Sequence, residues 1–260
     1  MSVLLLTGAA RAVDIYDGVR AARGLYFLSY SSYYRADALT DASGRSAVDD
    51  FGYQSLAETL RLCWYSPDIV VTALVPFSCA KSVYLDDSAA GLGDVTIAAG
   101  GFLPLASVDL LALFAVQAPT GRFDESRAVN VGSGQWDFRP SLFVHKTIEP
   151  YTFDGAVKYF FRRENPATDL KPGDELHLEI LATRRLGPLR LGPGVNWLLG
   201  ENGEKNGSRV KDSAKQMLSL GAEAYLRLFD WSVTLNYMGD VYGENTTRGH
   251  LVKIKLCREL

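Results

Sequence analysis

The chain has 260 residues, 47% of them hydrophobic and 22% charged, and carries a formal net charge of −3. That length suits one large domain with ample apolar surface to bury, and the weak negative balance gives no reason to expect a nucleic-acid partner. No run approaches the roughly 18 uninterrupted apolar residues of a helical membrane span. Alternating strands escape that test, because their polar positions dilute each segment's hydropathy. Cys63, Cys79 and Cys257 stand far apart with no Cys-x-x-Cys pair. A disulfide framework or metal cluster is therefore not expected, and at most a single bridge.

In chain order, residues 1–12 end in an Ala-x-Ala pattern at Ala10–Ala12 and read as the back half of a secretory signal peptide without its basic n-region, the alternative being an ordinary short apolar tail. Residues 13–23 read as a periplasmic lead-in. From Gly24 a period of two begins, the mark of a strand. Tyr26, Leu28, Tyr30 and Tyr34 share one face, and a polar stretch follows at 37–50. Next, Leu56, Leu60, Leu62 and Trp64 oppose Thr59 and Arg61. Ser66-Pro67-Asp68 is a tight turn, after which Ile69, Val71, Ala73, Val75 and Phe77 point outward. A loop through 91–93 leads to a hairpin, Asp94–Asp124, whose arms join at Pro104–Ser107. Val95 and Ile97 oppose Asp94 and Thr96 there, and Leu110, Phe114 and Val116 oppose Asp109, Leu113 and Gln117.

Beyond the Pro119–Gln135 loop, Trp136, Phe138, Leu142 and Val144 alternate with Asp137, Arg139, Ser141 and His145. Thr147–Pro150 turns the chain, and Phe153, Val157, Tyr159 and Phe161 then oppose Asp154, Lys158 and Arg162. After a charged loop at 163–173, Leu176, Leu178 and Ile180 oppose Glu175, His177 and Glu179. Gly187-Pro188 precedes Leu191, Val195, Trp197 and Leu199, with Pro193 expected to force a bulge or bend. A polar loop at 201–215 leads to Leu218, Leu220, Leu226 and Leu228 against Ser219, Glu223, Tyr225 and Arg227. The last hairpin turns at Phe229-Asp230, and a Gly/Asn/Thr loop separates Trp231–Tyr237 from a closing strand. There Val252, Ile254 and Leu256 point out while Lys253 and Lys255 point in.

Twelve strands of about ten residues, the length that crosses a bilayer at a tilt, alternate short and long connections. This pattern predicts an all-β fold, a closed antiparallel transmembrane β-barrel over 24–260 with short periplasmic turns and long extracellular loops. Hydrocarbon offers no partner to a free N–H or C=O, so the sheet can have no edge. Tyr33, Tyr34, Trp64, Tyr65, Trp136, Tyr151, Trp197, Trp231 and Tyr242 lie near strand ends and suit interfacial girdles.

The inward parity collects Arg61, Asp94, Asp137, Arg139, Asp154, Lys158, Glu179, Glu223, Arg227 and Lys253 as candidate lumen and solute-path residues. Rings of charge select and orient ions in pores; alternatively, these residues pair across a narrow barrel and plug it, since twelve strands lie between a filled core and an open channel. Leu111, Leu113, Phe143 and Phe160 share that parity, as an apolar track or as packing. His145, His177 and His250 are singletons without ligand spacing, so no metal, cofactor or catalytic residue is predicted. Gly91–Gly93 and Gly132–Gly134 are turn glycines, with no helix or Lys-Ser/Thr to make a phosphate loop.

One resemblance is specific. Gly93-Asp-Val with the later Phe-Leu-Pro, then Ala118-Pro-Thr-Gly-Arg-Phe-Asp124, then Asn-x-Gly-x-Gly-x-Trp-Asp-Phe-x-Pro at Asn130–Pro140, resemble the outer-membrane family tied to the meta-cleavage pathway of phenol degradation. The early Gly24–Tyr34 strand and the 41–44 loop resemble it too. The resemblance implies a porin-like transporter in the outer membrane of a Gram-negative bacterium, admitting small hydrophobic or aromatic solutes. Its partners would be outer-membrane lipid and the barrel-assembly machinery. Such barrels usually finish on an aromatic residue, whereas this sequence ends Cys257-Arg258-Glu259-Leu260, so Leu260 takes that place or the C-terminus is altered. Two other readings remain: a non-conducting barrel with a structural or loop-mediated binding role, and a soluble barrel with an apolar lumen.

Overall fold

In a computed structural model, residues 13–105 and 107–260 are described, and the expected signal peptide, 1–12, lies outside them. The strands are β1 (Gly24–Leu39), β2 (Tyr53–Tyr65), β3 (Ile69–Ser82), β4 (Asp87–Leu92), β5 (Thr96–Leu103), β6 (Asp109–Gln117), β7 (Asp137–Ile148) and β8 (Tyr151–Arg162). They continue as β9 (Leu170–Lys171), β10 (Glu175–Leu186), β11 (Leu189–Gly200), β12 (Glu204–Lys205), β13 (Ser208–Arg209), β14 (Gln216–Leu228), β15 (Trp231–Glu244) and β16 (Thr247–Glu259). Among the described residues there is no helix.

Each long strand pairs antiparallel with its sequence neighbour, β1 pairs β16, and β2–β3 completes the circle. The result is a closed twelve-strand barrel. β4 and β5 count as one wall strand, because they pair with the upper and lower halves of β3 in turn. β9, β12 and β13 form a small separate sheet within the extracellular loops. Closure removes every lipid-exposed edge, and the outer wall is greasy: Leu56, Ile97, Ile180 and Phe161 all point away from the lumen. A closed antiparallel barrel with an apolar outer wall is the form in which strands cross a membrane.

Several expectations shift. The last loop is only Asn245-Thr246, since β15 continues along β14 to Glu244 and β16 along β1 from Thr247, although their own pairing ends at Gly239 and His250. Pro193 causes no register shift: it pairs with Ala222 of β14, and only the β10 side is interrupted at 192–193. A proline lacks one N–H, which faces one neighbour only. Tyr34 and Tyr65 leave the girdle for the lumen, because each directly follows an outward aromatic and successive side chains must alternate. The three cysteines are free thiols.

The greasy wall carries a carboxyl. Glu58 shares the outward parity of Leu56 and Leu60 at mid-strand. Ser31 Oγ donates to its Oε2 at 2.5 Å, and Ser29 Oγ donates to Oε1. Satisfying a carboxyl by neighbours on the adjacent strand is what makes it tolerable against acyl chains. Replacing both serines by alanine should cost about 1–3 kcal/mol by stranding that acceptor, whereas E58L alone should be neutral or stabilising. Urea unfolding in lipid vesicles reads both, and equal destabilisation by the two would refute this account.

Candidate functional site: an obstructed lumen

Inside the barrel, apolar side chains cluster toward each end. Leu28, Tyr30, Cys63, Val70, Phe102 and Leu111 pack at the periplasmic end. Tyr34, Phe51, Tyr53, Val129, Met238 and Leu251 gather toward the extracellular loops. Between them lies a cavity of about 880 Å³ that runs from Asp14 and Asp17 up to Asp41, Glu125 and Asn245. At that mouth Asp41 accepts from Ser43 Oγ and from the N–H groups of Ser43 and Arg45, and these bonds lower its carboxyl below the ordinary range.

Residues 13–20, the expected lead-in, run inside the barrel and form the floor of that cavity. Val13 and Ile15 are buried against Ala156 and Leu181, and Tyr16 meets Tyr225 edge-on with ring centroids 5.2 Å apart. The backbone is held from two strands a quarter of the barrel apart. Ile15 N–H donates to Glu223 Oε1 of β14 at 2.7 Å, and Tyr16 N–H donates to Asp154 Oδ1 of β8 at 3.0 Å. Lys253 of β16 pairs with Asp14 at 2.6 Å, and Lys255 pairs with Asp17 at 2.6 Å. At the rim, Arg20 pairs with Asp68 in the Ser66–Asp68 turn, its N–H donates to Asp109, and its guanidinium lies 4.6 Å from the centroid of Phe102. Buried charges are stable only when so paired.

The predicted site residues divide accordingly. Glu223, Asp154 and Lys253 grip the floor segment, and Asp154 also meets His145 Nδ1 at 2.8 Å, directly opposite on β7. Asp137 faces Arg162 at 3.3 Å, and Arg162 reaches Glu175 at 2.8 Å. Lys158 and Glu179 pair at 2.7 Å diagonally across β8 and β10. Arg61 and Arg139 stand apart, bonded only to neutral groups. Arg227 departs from the expectation: it shares the parity of Tyr225 but lies two residues further on, exposed at the periplasmic rim. Asp14 and Asp17 escaped the sequence reading, because they lie off any strand and show no period. Arg162, Glu175 and Lys255 had the right parity but were not singled out.

Asp94 is buried yet serves a loop. Its Oδ2 accepts from Ser133 N–H at 2.7 Å and Ser133 Oγ at 2.6 Å, while Oδ1 accepts from Gly121 N–H at 2.9 Å. This pins the 118–136 segment over the barrel. Gly121 and Gly132 cross so closely that a Cβ on Gly132 would sit 2.5 Å from the Gly121 carbonyl carbon. Asp87 adds a second anchor through Arg127 at 2.6 Å and the N–H groups of Ala128 and Val129. The Ala118–Asp124 and Asn130–Pro140 motifs are thus a loop lock.

Fold and lumen together define an outer-membrane β-barrel with an internal obstruction. A family model described as "Putative MetA-pathway of phenol degradation" matches residues 36–256, and the chain belongs to that family. No curated protein matches the chain. Among solved structures, the COG4313 outer membrane channel from Pseudomonas putida F1 is similar, with TM-score 0.86 and 18% identity over 95% of this chain and 100% of that one. The β domain of the Bordetella autotransporter BrkA follows at TM-score 0.57 and 12% identity, covering 92% of this chain and 100% of that one. The translocator domain of NalP from Neisseria meningitidis has TM-score 0.52 and 10% identity, with coverage of 92% and 90%. At these identities the likeness is one of fold.

D94A should free the 118–136 loop by about 3 kcal/mol, because it leaves three donors unpaired. Amide exchange at Gly121 and Ser133 should then quicken on the order of a hundredfold without global unfolding. Unchanged exchange would show that Asp94 does not hold the loop.

Proposed function

We propose that the protein is an outer-membrane channel for small hydrophobic or aromatic compounds, restricted by its own residues 13–20. The observation that carries this is the lumen cavity of about 880 Å³, which reaches from the extracellular loops to Asp14 and Asp17. That volume lies in the range that encloses small organic ligands. Its wall mixes charged groups with Phe143, Phe160 and Leu113, so it can pass a solute with one apolar and one polar side. The family's description and the P. putida F1 channel of the same fold support transport and an aromatic cargo. In this reading Arg61, Arg139 and Lys158 border the solute path. Glu223, Asp154 and Lys253 set its floor, and Asp94 positions the loop above it. The barrel-assembly machinery would insert the chain, and outer-membrane lipid would surround it.

The floor also favours a second reading. Since its contacts come from β8, β14 and β16 together, the barrel could be closed in its resting form and act through its loops or by reinforcing the membrane.

Purified protein in planar bilayers separates the two. Deleting residues 13–20, or D14N/D17N together, should raise single-channel conductance several-fold over the parent. Uptake of an aromatic carbon source by cells lacking the protein should fall and return on re-expression. Silence of both the parent and the deletion variant, with uptake unaffected, would overturn the channel reading and favour the loop-mediated one; deletion of Pro119–Gln135 would then abolish function.

A further inference from the structure

Charge pairing in the lumen leaves a remainder. Lys158, Arg162, Lys253 and Lys255 each pair with a carboxylate within the barrel. Among the described residues, Arg61 and Arg139 make no ion pair. Arg61 donates from Nε to Thr72 Oγ1 at 2.9 Å and from Nη1 to the Tyr30 hydroxyl at 3.0 Å. Arg139 donates from Nη2 to Gln117 Oε1 at 3.4 Å and lies over Phe160, its central carbon 4.1 Å from the ring centroid. Its Nε is buried and has no partner. Both arginines line the same cavity.

The wall between them is shaped as well as charged. Thr72, which holds Arg61, pairs with Ala98; Ala98 pairs with Ala115; Ala115 pairs with Arg139. Arg61, on β2, leans over Thr72, and between Thr72 and Arg139 the side chains on the direct line are two methyl groups. From Thr72 to Arg139 that line crosses three strand spacings, about 14 Å of curved wall, and the arginine side chains lean in from both ends, Arg61 from the next strand beyond. Leu113 and Phe143, of the same inward parity, extend the apolar shelf toward the periplasmic end. A guanidinium without a counter-ion in a confined lumen is a site for an anion, and its planar fork matches a carboxylate. A flat ring fits above alanines where bulkier residues would fill the space.

We infer that Arg61, Arg139 and the Ala98–Ala115 shelf form a binding station for planar aromatic carboxylates, so that the channel prefers ring-bearing anions over neutral phenols. This rests on the reading of the lumen as a solute path and names its cargo class. A neutral solute would leave the arginines desolvated and unpaired, whereas a carboxylate supplies the missing charge while its ring covers the shelf.

The test uses benzoate, cyclohexanecarboxylate and phenol as probes. In saturation-transfer NMR on the detergent-solubilised protein, benzoate should bind more tightly than the other two. The R61Q/R139Q variant should weaken benzoate about tenfold or more, with heat-modifiable gel migration verifying that its barrel is intact. In bilayers under a potassium benzoate gradient, the reversal potential should report benzoate permeating over potassium, and the variant should lose that preference. Equal binding of benzoate and phenol, or benzoate binding untouched in the folded variant, would overturn the inference even if the protein conducts. Conversely, arginine-dependent benzoate binding in a barrel that never conducts would support the station and sink only the transport reading.

Discussion

An acyl chain accepts no hydrogen bond. From that one constraint follow the closed ladder through β1–β16, the outward Leu, Ile, Val and aromatic residues, and the banishing of ionised groups to the interior. Glu58 shows the rule's force by its exception, since the outward carboxyl is met by two hydroxyls from the adjacent strand. The same constraint explains why β15 and β16 end in a two-residue turn well past their apolar portion. Beyond that portion each strand keeps pairing with its other neighbour, β15 with β14 to Glu244 and β16 with β1 from Thr247.

Confining charge to a twelve-strand cylinder creates a second problem, because the interior is too narrow to hydrate every group and too wide to fill with side chains alone. The structure answers it with peptide. Residues 13–20 bring Asp14 and Asp17 to Lys253 and Lys255, and their N–H groups to Glu223 and Asp154. The two lysines of β16 become the anchor of an internal floor. The obstruction and the electrostatic balance of the wall are thus one arrangement.

The extracellular side is ordered by a different economy. Asp94 and Asp87 gather loop N–H groups, and the close crossing of Gly121 and Gly132 lets two backbones touch. The most recognisable sequence motifs therefore mark a locked loop above the cavity, while the residues that shape the solute path are scattered one or two per strand and form no motif.

The sequence alone settled the strands, which side chains point to lipid and which to the lumen, and on which side the short turns lie. Those features come from local alternation set by the contrast between hydrocarbon and water, so Leu60 and Arg61 could be assigned from their neighbours. Only the tertiary structure decided who meets whom. Ile15 and Glu223 are 208 residues apart, and Asp17 and Lys255 are 238 apart. Their meeting depends on where twelve strands close and on a segment with no period of its own entering the lumen. For the same reason parity placed Arg61, Arg139, Lys158 and Lys253 alike inside. It took the closed barrel to show that Lys158 and Lys253 are neutralised by carboxylates while Arg61 and Arg139 are bonded to neutral groups.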